Sequence, residues 1–318
     1  MNTAMLRPIA MRLGVNLLTL WIVSLLVFSA TALLPGDAAQ AVLGPAATPQ
    51  AVAGLRAALH LNQPGWLRYL IWLGGLLHGD LGRSLVNHLP VSDLVGSRLP
   101  SSLLLAALTT ALSVPLALTV GITAAVRRGS LYDRVSGLLI VGIVSVPEFL
   151  VATLAVLLFA VKLHWLPALA SIRDVHTATQ MLRSLAMPVL SLSFVVMAQM
   201  ARMCRAALIN TLDASYVEMA RLKGAGPARI VLRHALPNAL GPIVNAMALS
   251  LAFLLGGAII IETIFNYPGL AKLMVDAVAT RDMPVVQACA MIFCAGYLLL
   301  TTLADIVATL SNPRLRTA

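Results

Sequence analysis

Long apolar stretches separated by polar loops run through the whole chain, on the scale of a membrane. A helix needs about 20 apolar residues to cross the hydrocarbon region, where no water can bond to exposed backbone groups. Residue 148, a glutamate, alone interrupts the third stretch, and the fourth is the shortest. The pattern predicts an all-α integral membrane protein whose six spans are residues 13–34, 99–126, 135–161, 184–201, 235–261 and 283–304.

Composition supports this prediction. Hydrophobic residues make up 59% of the chain and charged residues only 11%, against about 25% charged in soluble domains. The net charge of +10 does not indicate a nucleic-acid partner, because aromatic residues are only 5% and the basic residues lie between apolar runs. Cys204, Cys289 and Cys294 lack metal-site spacing and are interpreted as small apolar side chains.

The N-terminus has two features of a secretory signal peptide, since Arg7 and Arg12 precede an apolar run. The apolar part of a signal peptide has about 7–15 residues, however, whereas residues 13–34 carry no charge at all. We therefore expect an uncleaved first span.

The distribution of Lys and Arg predicts the orientation of the spans. Loops on the side of the N-terminus hold most of the basic residues, and the two short loops on the other side hold few. Because short basic loops stay in the cytoplasm, both termini should be cytoplasmic. The expected organisation is an N-terminal segment with span one (1–34), an external loop subdomain (35–98), a membrane core (99–310) and a cytoplasmic tail (311–318).

The external loop contains two helical patterns. Residues 51–61 favour a helix, and Trp66, Tyr69 and Trp72 recur at intervals of three residues. Aromatic residues on one side of a helix suit either a helix lying at the membrane interface or a packed loop helix. The sequence leaves both interpretations open.

The loop between spans four and five, residues 208–238, is longer than a simple connection needs. Ser215 and Glu218 have the spacing of a capping box, so a helix should begin at Tyr216. Gly224 and Gly226 allow the positive φ that ends a helix. Pro227 suits the first position of the next one, and Pro237 introduces span five. We expect an ordered helix–turn–helix with Val217 and Ala220 on one face and with Arg221 and Lys223 in solvent.

This loop resembles the E-A-A-x-x-x-G-x9-I-x-L-P motif of permease subunits of binding-protein-dependent ABC importers. Met219 stands where the motif has Ala, and His234 where it has Ile. The motif positions are held by Glu218, Ala220, Gly224, Leu236 and Pro237.

The resemblance extends along the chain to the oligopeptide/dipeptide permease branch. Ser215 replaces a usual Asp and Ala271 a usual Gly, which leaves the substrate open. The similar runs are LLPGD (33–37), GDLGRS (79–84), LP (99–100), SVPEF (145–149), YVEMARLKGAG (216–226), HALPNAL (234–240), ETIFNYPGL (262–270), RDMPVVQ (281–287) and NPRLR (312–316).

The resemblance implies that residues 216–223 form a coupling helix that docks on a cytoplasmic ATPase subunit. Glu218 would cap this helix, dock, or do both. The residues implied in ATPase coupling are Tyr216, Val217, Glu218, Met219, Ala220, Arg221, Lys223, Gly224, Leu236 and Pro237.

Polar residues inside the membrane indicate function by default, because their burial is costly. Glu148 either lines a translocation pathway or caps the backbone freed by Pro147. Glu262 either lies at an external gate or ties down the loop that follows. Asn245, a further pathway candidate, and Asp305 should face other helices, and Gly256 with Gly257 suits close helix packing.

The chain has no G-x-x-x-x-G-K-[ST] motif, so ATP and Mg should be bound by partner subunits, and no cofactor is expected in this chain. The expected partners are a second permease subunit, identical or paralogous, two ATP-binding subunits and an extracytoplasmic solute-binding protein in the bacterial inner membrane. The expected cargo is a peptide or peptide-like solute. An ion-coupled transporter or a membrane-embedded enzyme would leave the ordered loop unexplained.

Overall fold

The computed structural model describes residues 3–33, 48–58, 63–170 and 177–311. Within these ranges the secondary structure is helical apart from turns and one isolated β-bridge between Arg83 and Pro90. Residues 35–47 and 59–62 of the predicted external loop, the NPRLR run and most of the LLPGD run lie outside the described residues.

The α-helices are α1 (Thr3–Ala32), α2 (Pro49–Ala58), α3 (Gly65–Leu77), α4 (Val91–Val126), α5 (Leu131–Ser145), α6 (Glu148–Ala155), α7 (Ala178–Leu212), α8 (Ser215–Leu222), α9 (Pro227–Arg229), α10 (Leu236–Ile264), α11 (Leu270–Ala279) and α12 (Met283–Ser311). Two π-helical segments join them, π1 (Val156–Lys162) after α6 and π2 (Ile230–Ala235) between α9 and α10.

Five helical stretches in the described residues are long and apolar enough to cross a membrane. They lie in α1, α4, α7, the continuous run from α9 to α10, and α12. The pair α5 and α6 passes the same test together, which gives six spans if the pair counts as one. The all-α membrane class is confirmed. The helix predicted at residues 51–61 is confirmed as far as residue 58, and residues 59–61 lie outside the described residues.

The third predicted span is not one straight helix, because α5 and α6 enclose an angle of 94°. Val146 is extended at the break, with φ −89° and ψ 126°, and Pro147 has φ −59° and ψ 139°. Proline has no amide hydrogen and drives the residue before it toward extended backbone. The feature that the apolar pattern could not show is therefore the direction change at Pro147.

Met1–Leu13, Leu103–Tyr267 and Tyr297–Ala318 belong to one compact unit. Its core is built largely on α7, where Leu192, Val196 and Met200 are buried. A Cβ atom on Gly121 of α4 would lie 2.8 Å from the carbonyl oxygen of Ala201 in α7. Glycine is therefore needed for this close approach of two helices.

Gly14–Ser102 and Pro268–Gly296 belong to the second compact unit. Tyr69 of α3 is buried, its ring lies 5.4 Å from that of Phe28 in α1, and its hydroxyl is 2.9 Å from Ser24 Oγ. Trp72 also contacts Phe28, whereas Trp66 is exposed. These contacts favour the packed loop helix over the interfacial one.

Asp282 brings together two of the runs on which the family resemblance rests. Its carboxylate accepts a hydrogen bond from the Ser84 hydroxyl and another, at 3.0 Å, from the Leu85 amide. Ser84 is the last residue of the GDLGRS run, and Asp282 is the second residue of the RDMPVVQ run. Because Asp282 is buried, these bonds fix residues 84–85 to the beginning of α12 in the second unit.

Candidate functional site

The helix α8 lies in the loop between α7 and α10 and begins at Ser215. Its N-cap residue is Ala214, with φ −74° and ψ 144°, and the Ala214 side chain makes no cap hydrogen bond. The predicted capping box is wrong, because Ser215 is already inside the helix and not at the cap position. The exposed Glu218 has no side-chain hydrogen bond among the described residues. Its negative charge lies in the first turn, where it interacts favourably with the helix dipole.

The end of α8 is closed by a Schellman motif. The Ala225 amide donates to the Ala220 carbonyl at 3.1 Å, and the Gly224 amide donates to the Arg221 carbonyl at 2.9 Å. Gly224 has φ +80°, the left-handed conformation that this motif requires. The predicted role of Gly224 as helix terminator is confirmed.

The connection to span five differs from the prediction at Gly226. This residue has φ −66° and ψ 156°, so it does not use positive φ and is instead the N-cap of α9. Pro227 occupies the first turn of α9, as predicted. From Pro227 to Ile264 the helix is continuous, so the loop contains one separate helix and an extension of span five.

The segment π2 explains how Pro237 is accommodated in this continuous helix. A proline removes one backbone donor from a helix, and its ring crowds the carbonyl four residues earlier. The wider π turn at Ile230–Ala235 precedes Pro237, and there the backbone hydrogen bonds join residues five apart where an α-helix joins residues four apart. Leu236 is half-buried and Pro237 is exposed.

The two faces of α8 differ sharply in exposure. Val217 is completely buried and Ala220 is half-buried. They share one face, as predicted, and this face anchors α8 to the rest of the chain. Met219 is 54% exposed and Leu222 is 78% exposed. Tyr216, Glu218, Arg221 and Lys223 are exposed as well. A short helix outside the spans thus presents two large apolar side chains to its surroundings.

Leu222 is not among the coupling residues predicted from the sequence. The signal was present, because Leu222 follows Met219 by three residues and residues three apart share a helix face. Leu222 does not occupy a position of the family motif, and the coupling residues were predicted from the resemblance to that family.

The candidate pathway residues lie on two helices. Glu148 is half-buried and is the first residue of α6, directly after the break. Asn245 in α10 is exposed, whereas Glu262 in the same helix is completely buried. At a rise of 1.5 Å per residue, Asn245 and Glu262 lie about 26 Å apart along α10, so they cannot belong to one small binding site.

The backbone around Glu262 and the surroundings of Asp305 are also defined. The Glu262 carbonyl accepts the Tyr267 amide at 2.8 Å, which turns the chain sharply after α10. Asp305 in α12 forms an ion pair with Arg12 of α1, so it faces another helix, as expected. A Cβ atom at Gly256 would meet nothing within 4 Å, so packing inside this chain does not require a glycine there.

Apolar spans, joined by a loop that carries the anchored helix α8, define an integral membrane protein. Residues 117–317 match the family described as "Binding-protein-dependent transport system inner membrane component", and residues 5–106 match the N-terminal family of the same transport system components. The chain belongs to the binding-protein-dependent transport system inner membrane component family, and is a permease component of an ABC importer.

Particular relatives cover nearly the whole chain. It is 37% identical over 298 residues to the glutathione transport system permease protein GsiC of Escherichia coli (strain K12), covering 94% of this chain and 95% of the relative. It is 36% identical over 317 residues to a putative peptide transport system permease protein of Brucella abortus (strain 2308), covering 99% of both.

A solved structure shows the same fold. The similar chain comes from inward-facing conformations of the MetNI methionine ABC transporter, with a TM-score of 0.56 and 19% identity. The match covers 69% of this chain and 96% of that chain.

Proposed function

We propose that α8 is the coupling helix through which this permease receives the work of cytoplasmic ATPase subunits. The observation that carries the proposal is the exposure of Met219 and Leu222 beside the completely buried Val217. Large apolar side chains on a helix outside the spans have no lipid to cover them, and such a face suits a groove on another protein. Arg221 and Lys223 are exposed at the end of α8 and would lie at the rim of the docking site.

The rigidity of α8 supports the same role. The Schellman motif fixes one end, and the buried Val217 fixes one face, so a push on α8 moves the helix as a body. Closure of two ATPase subunits would then turn the attached spans as in hinge-type switching. Hydrolysis would return the spans to the inward-open state.

The proposed cargo is a peptide or peptide-like solute. Support comes from the relatives named for glutathione and for peptide transport, which match at 36–37% identity over nearly their full length. The chain would form half of the translocation pathway. Glu148 is the strongest candidate for a pathway residue because it is a half-buried carboxylate at a break in a span.

The proposed complex has four kinds of subunit: this chain, a second permease, a pair of ATP-binding subunits and a solute-binding protein outside the membrane. The proposed orientation has α8 and both termini in the cytoplasm, and it is supported by the excess of Lys and Arg in the loops on the same side as the N-terminus. ATP and Mg would be bound by the ATPase subunits.

The substitution Leu222→Asp tests the coupling role. A carboxylate in an apolar groove would lose its hydration without gaining a partner, so we expect uptake to fall by about tenfold or more, which corresponds to about 1.4 kcal/mol. The measurement is uptake of a radiolabelled mixture of dipeptides and glutathione by proteoliposomes that contain the whole complex, with co-purification of the ATPase subunits.

Leu131→Asp is the matched control, because Leu131 has the same exposure of 78% and lies at the start of α5. Normal uptake in Leu222→Asp, or an equal loss in Leu131→Asp, would contradict the coupling role of α8.

A further inference from the structure

Two ion pairs join the end of α7 to the turn between α4 and α5. Arg205 of α7 donates to both carboxylate oxygens of Asp133 in α5, from Nε at 2.6 Å and from Nη2 at 2.9 Å. Arg128 donates from Nη1 to both oxygens of Asp213, at 3.1 and 2.8 Å. Asp213 is the C-cap of α7 and lies two residues before α8. The base of the coupling helix is therefore tied to a turn that is distant in sequence.

The Asp133–Arg205 pair is the more buried of the two ion pairs, and further hydrogen bonds hold Asp133 in place. Asp133 has only 6% of its side chain exposed, and it accepts a third hydrogen bond from the Gly129 amide at 3.0 Å. Its own amide donates to Ser130 Oγ at 3.3 Å, which caps α5. A two-pronged Arg–carboxylate pair fixes orientation as well as distance. The pair thus fastens the first turn of α5 to α7.

The Arg128–Asp213 pair has a different character. The side chains are 58% and 61% exposed, so water and salt screen the attraction, and such pairs add little to stability. Breaking this pair should leave the fold intact. Its position, at the joint between α7 and α8, makes it suited to controlling the direction of α8.

The chain itself connects α8 only to α7 and to the continuous helix of span five. Through these peptide connections, a movement of α8 reaches two spans. We infer that Arg205, Asp133, Arg128 and Asp213 are positioning residues that carry this movement into α4 and α5 as well. Four elements then respond together to the ATPase subunits, an inference that rests on the proposed function of α8.

The test uses the whole complex in proteoliposomes with a fluorophore on α5. The label is attached at Leu138→Cys, an exposed position, after Cys294→Ser removes the partly exposed natural thiol. ATP with vanadate traps the closed ATPase subunits, and the change in fluorescence reports movement of α5. Uptake of the dipeptide and glutathione mixture per ATP hydrolysed is measured on the same preparations.

Arg128→Asp and Asp213→Arg should each reduce the fluorescence change and the uptake per ATP by about two- to fivefold, the range open to an exposed pair. The ATPase subunits should still co-purify. The double variant, which exchanges the two charges, should restore both readouts. Arg134→Asp makes the same charge change on α5 at an exposed arginine that has no partner among the described residues, and it should have no effect.

In the Asp133–Arg205 pair, Arg205→Lys keeps the positive charge but loses the bidentate hydrogen bonding. The fluorescence change and the uptake per ATP of this variant should therefore lie between those of the unaltered complex and those of Arg205→Met. The inference would be overturned if Arg128→Asp and Asp213→Arg left the fluorescence change and the uptake per ATP unchanged. It would also be overturned if the double variant did not restore them. Leu222→Asp separates the two claims: if it uncouples transport while Arg128→Asp does not, only the inference fails. If Leu222→Asp is also silent, the proposed function fails.

Discussion

Gly224 and Gly226 lie two residues apart in the same loop, and a Cβ atom would meet nothing within 4 Å at either position. They differ only in backbone conformation, since Gly224 has φ +80° and Gly226 has φ −66°. A side chain at Gly224 costs about 1–2 kcal/mol because the left-handed conformation crowds its Cβ against the backbone. The same change at Gly226 carries no such cost.

We therefore expect Gly224→Asp to loosen the end of α8 and to lower uptake and ATPase coupling, and Gly224→Ala to do the same, because alanine does not readily adopt the left-handed conformation either. The measurement is uptake by the reconstituted complex, with immunoblots for the amount of chain in the membrane. Gly226→Ala is the matched control and should transport normally. Equal activity of the Gly224 and Gly226 variants would show that the Schellman motif has no part in coupling.

At the scale of one element, the break between α5 and α6 depends on a single residue type. Pro147 cannot donate a backbone hydrogen bond, and Val146 before it is extended. Glu148 then begins a new helix in a new direction, at 94° to the first. Hydropathy identified the span correctly but contains no information on direction, which the missing amide hydrogen determines.

Pro147→Ala restores the missing donor and removes the restriction on Val146, so we expect α5 and α6 to straighten toward one continuous helix. Glu148 would then move away from its place at the break, and uptake should fall while the amount of protein in the membrane is unchanged. Pro242→Ala serves as control, because Pro242 lies exposed inside the continuous helix α10 and should be replaceable. Full uptake by Pro147→Ala would mean that the bend has no role in transport.

In the loop between spans four and five, some features of the structure were predictable from the sequence and others were not. The separate helix, the terminator Gly224 and the common face of Val217 and Ala220 all followed from local rules. The capping box failed because its two residues have the correct spacing but begin one position too late, after Ala214. Spacing alone cannot distinguish an N-cap residue from the first residue inside the helix.

For the whole molecule, the apolar pattern predicted the class and the family motifs predicted the transport role, and the comparisons confirm both. The contacts that tie distant segments together were not predictable. Asp282 with Leu85 and Asp133 with Arg205 join residues far apart in the chain, and the pairing of one particular carboxylate with one particular partner requires coordinates. Such pairs depend on the packing of helices, which periodicity does not encode.

A complex driven by ATPase subunits makes a prediction that an ion-coupled transporter does not. Uptake of the dipeptide and glutathione mixture into proteoliposomes should require ATP on the side of α8 and a binding protein on the other side. It should be unaffected by a protonophore, and liposomes with this chain alone should show no uptake. Uptake that is abolished by the protonophore and independent of ATP would favour the ion-coupled alternative.

The π2 segment has a consequence for how this region tolerates changes in length. A π turn closes its hydrogen bonds over five residues where an α turn uses four, so π2 contains one residue more than an α-helix of the same turn would. Removing one residue from Ile230–Ala235 would therefore restore α geometry and leave the helix on either side of π2 nearly in its present orientation. A deletion of a single codon within π2 should therefore be tolerated better than the same deletion in the α-helical part of α10, which would rotate α8 by about 100° around the axis of α10.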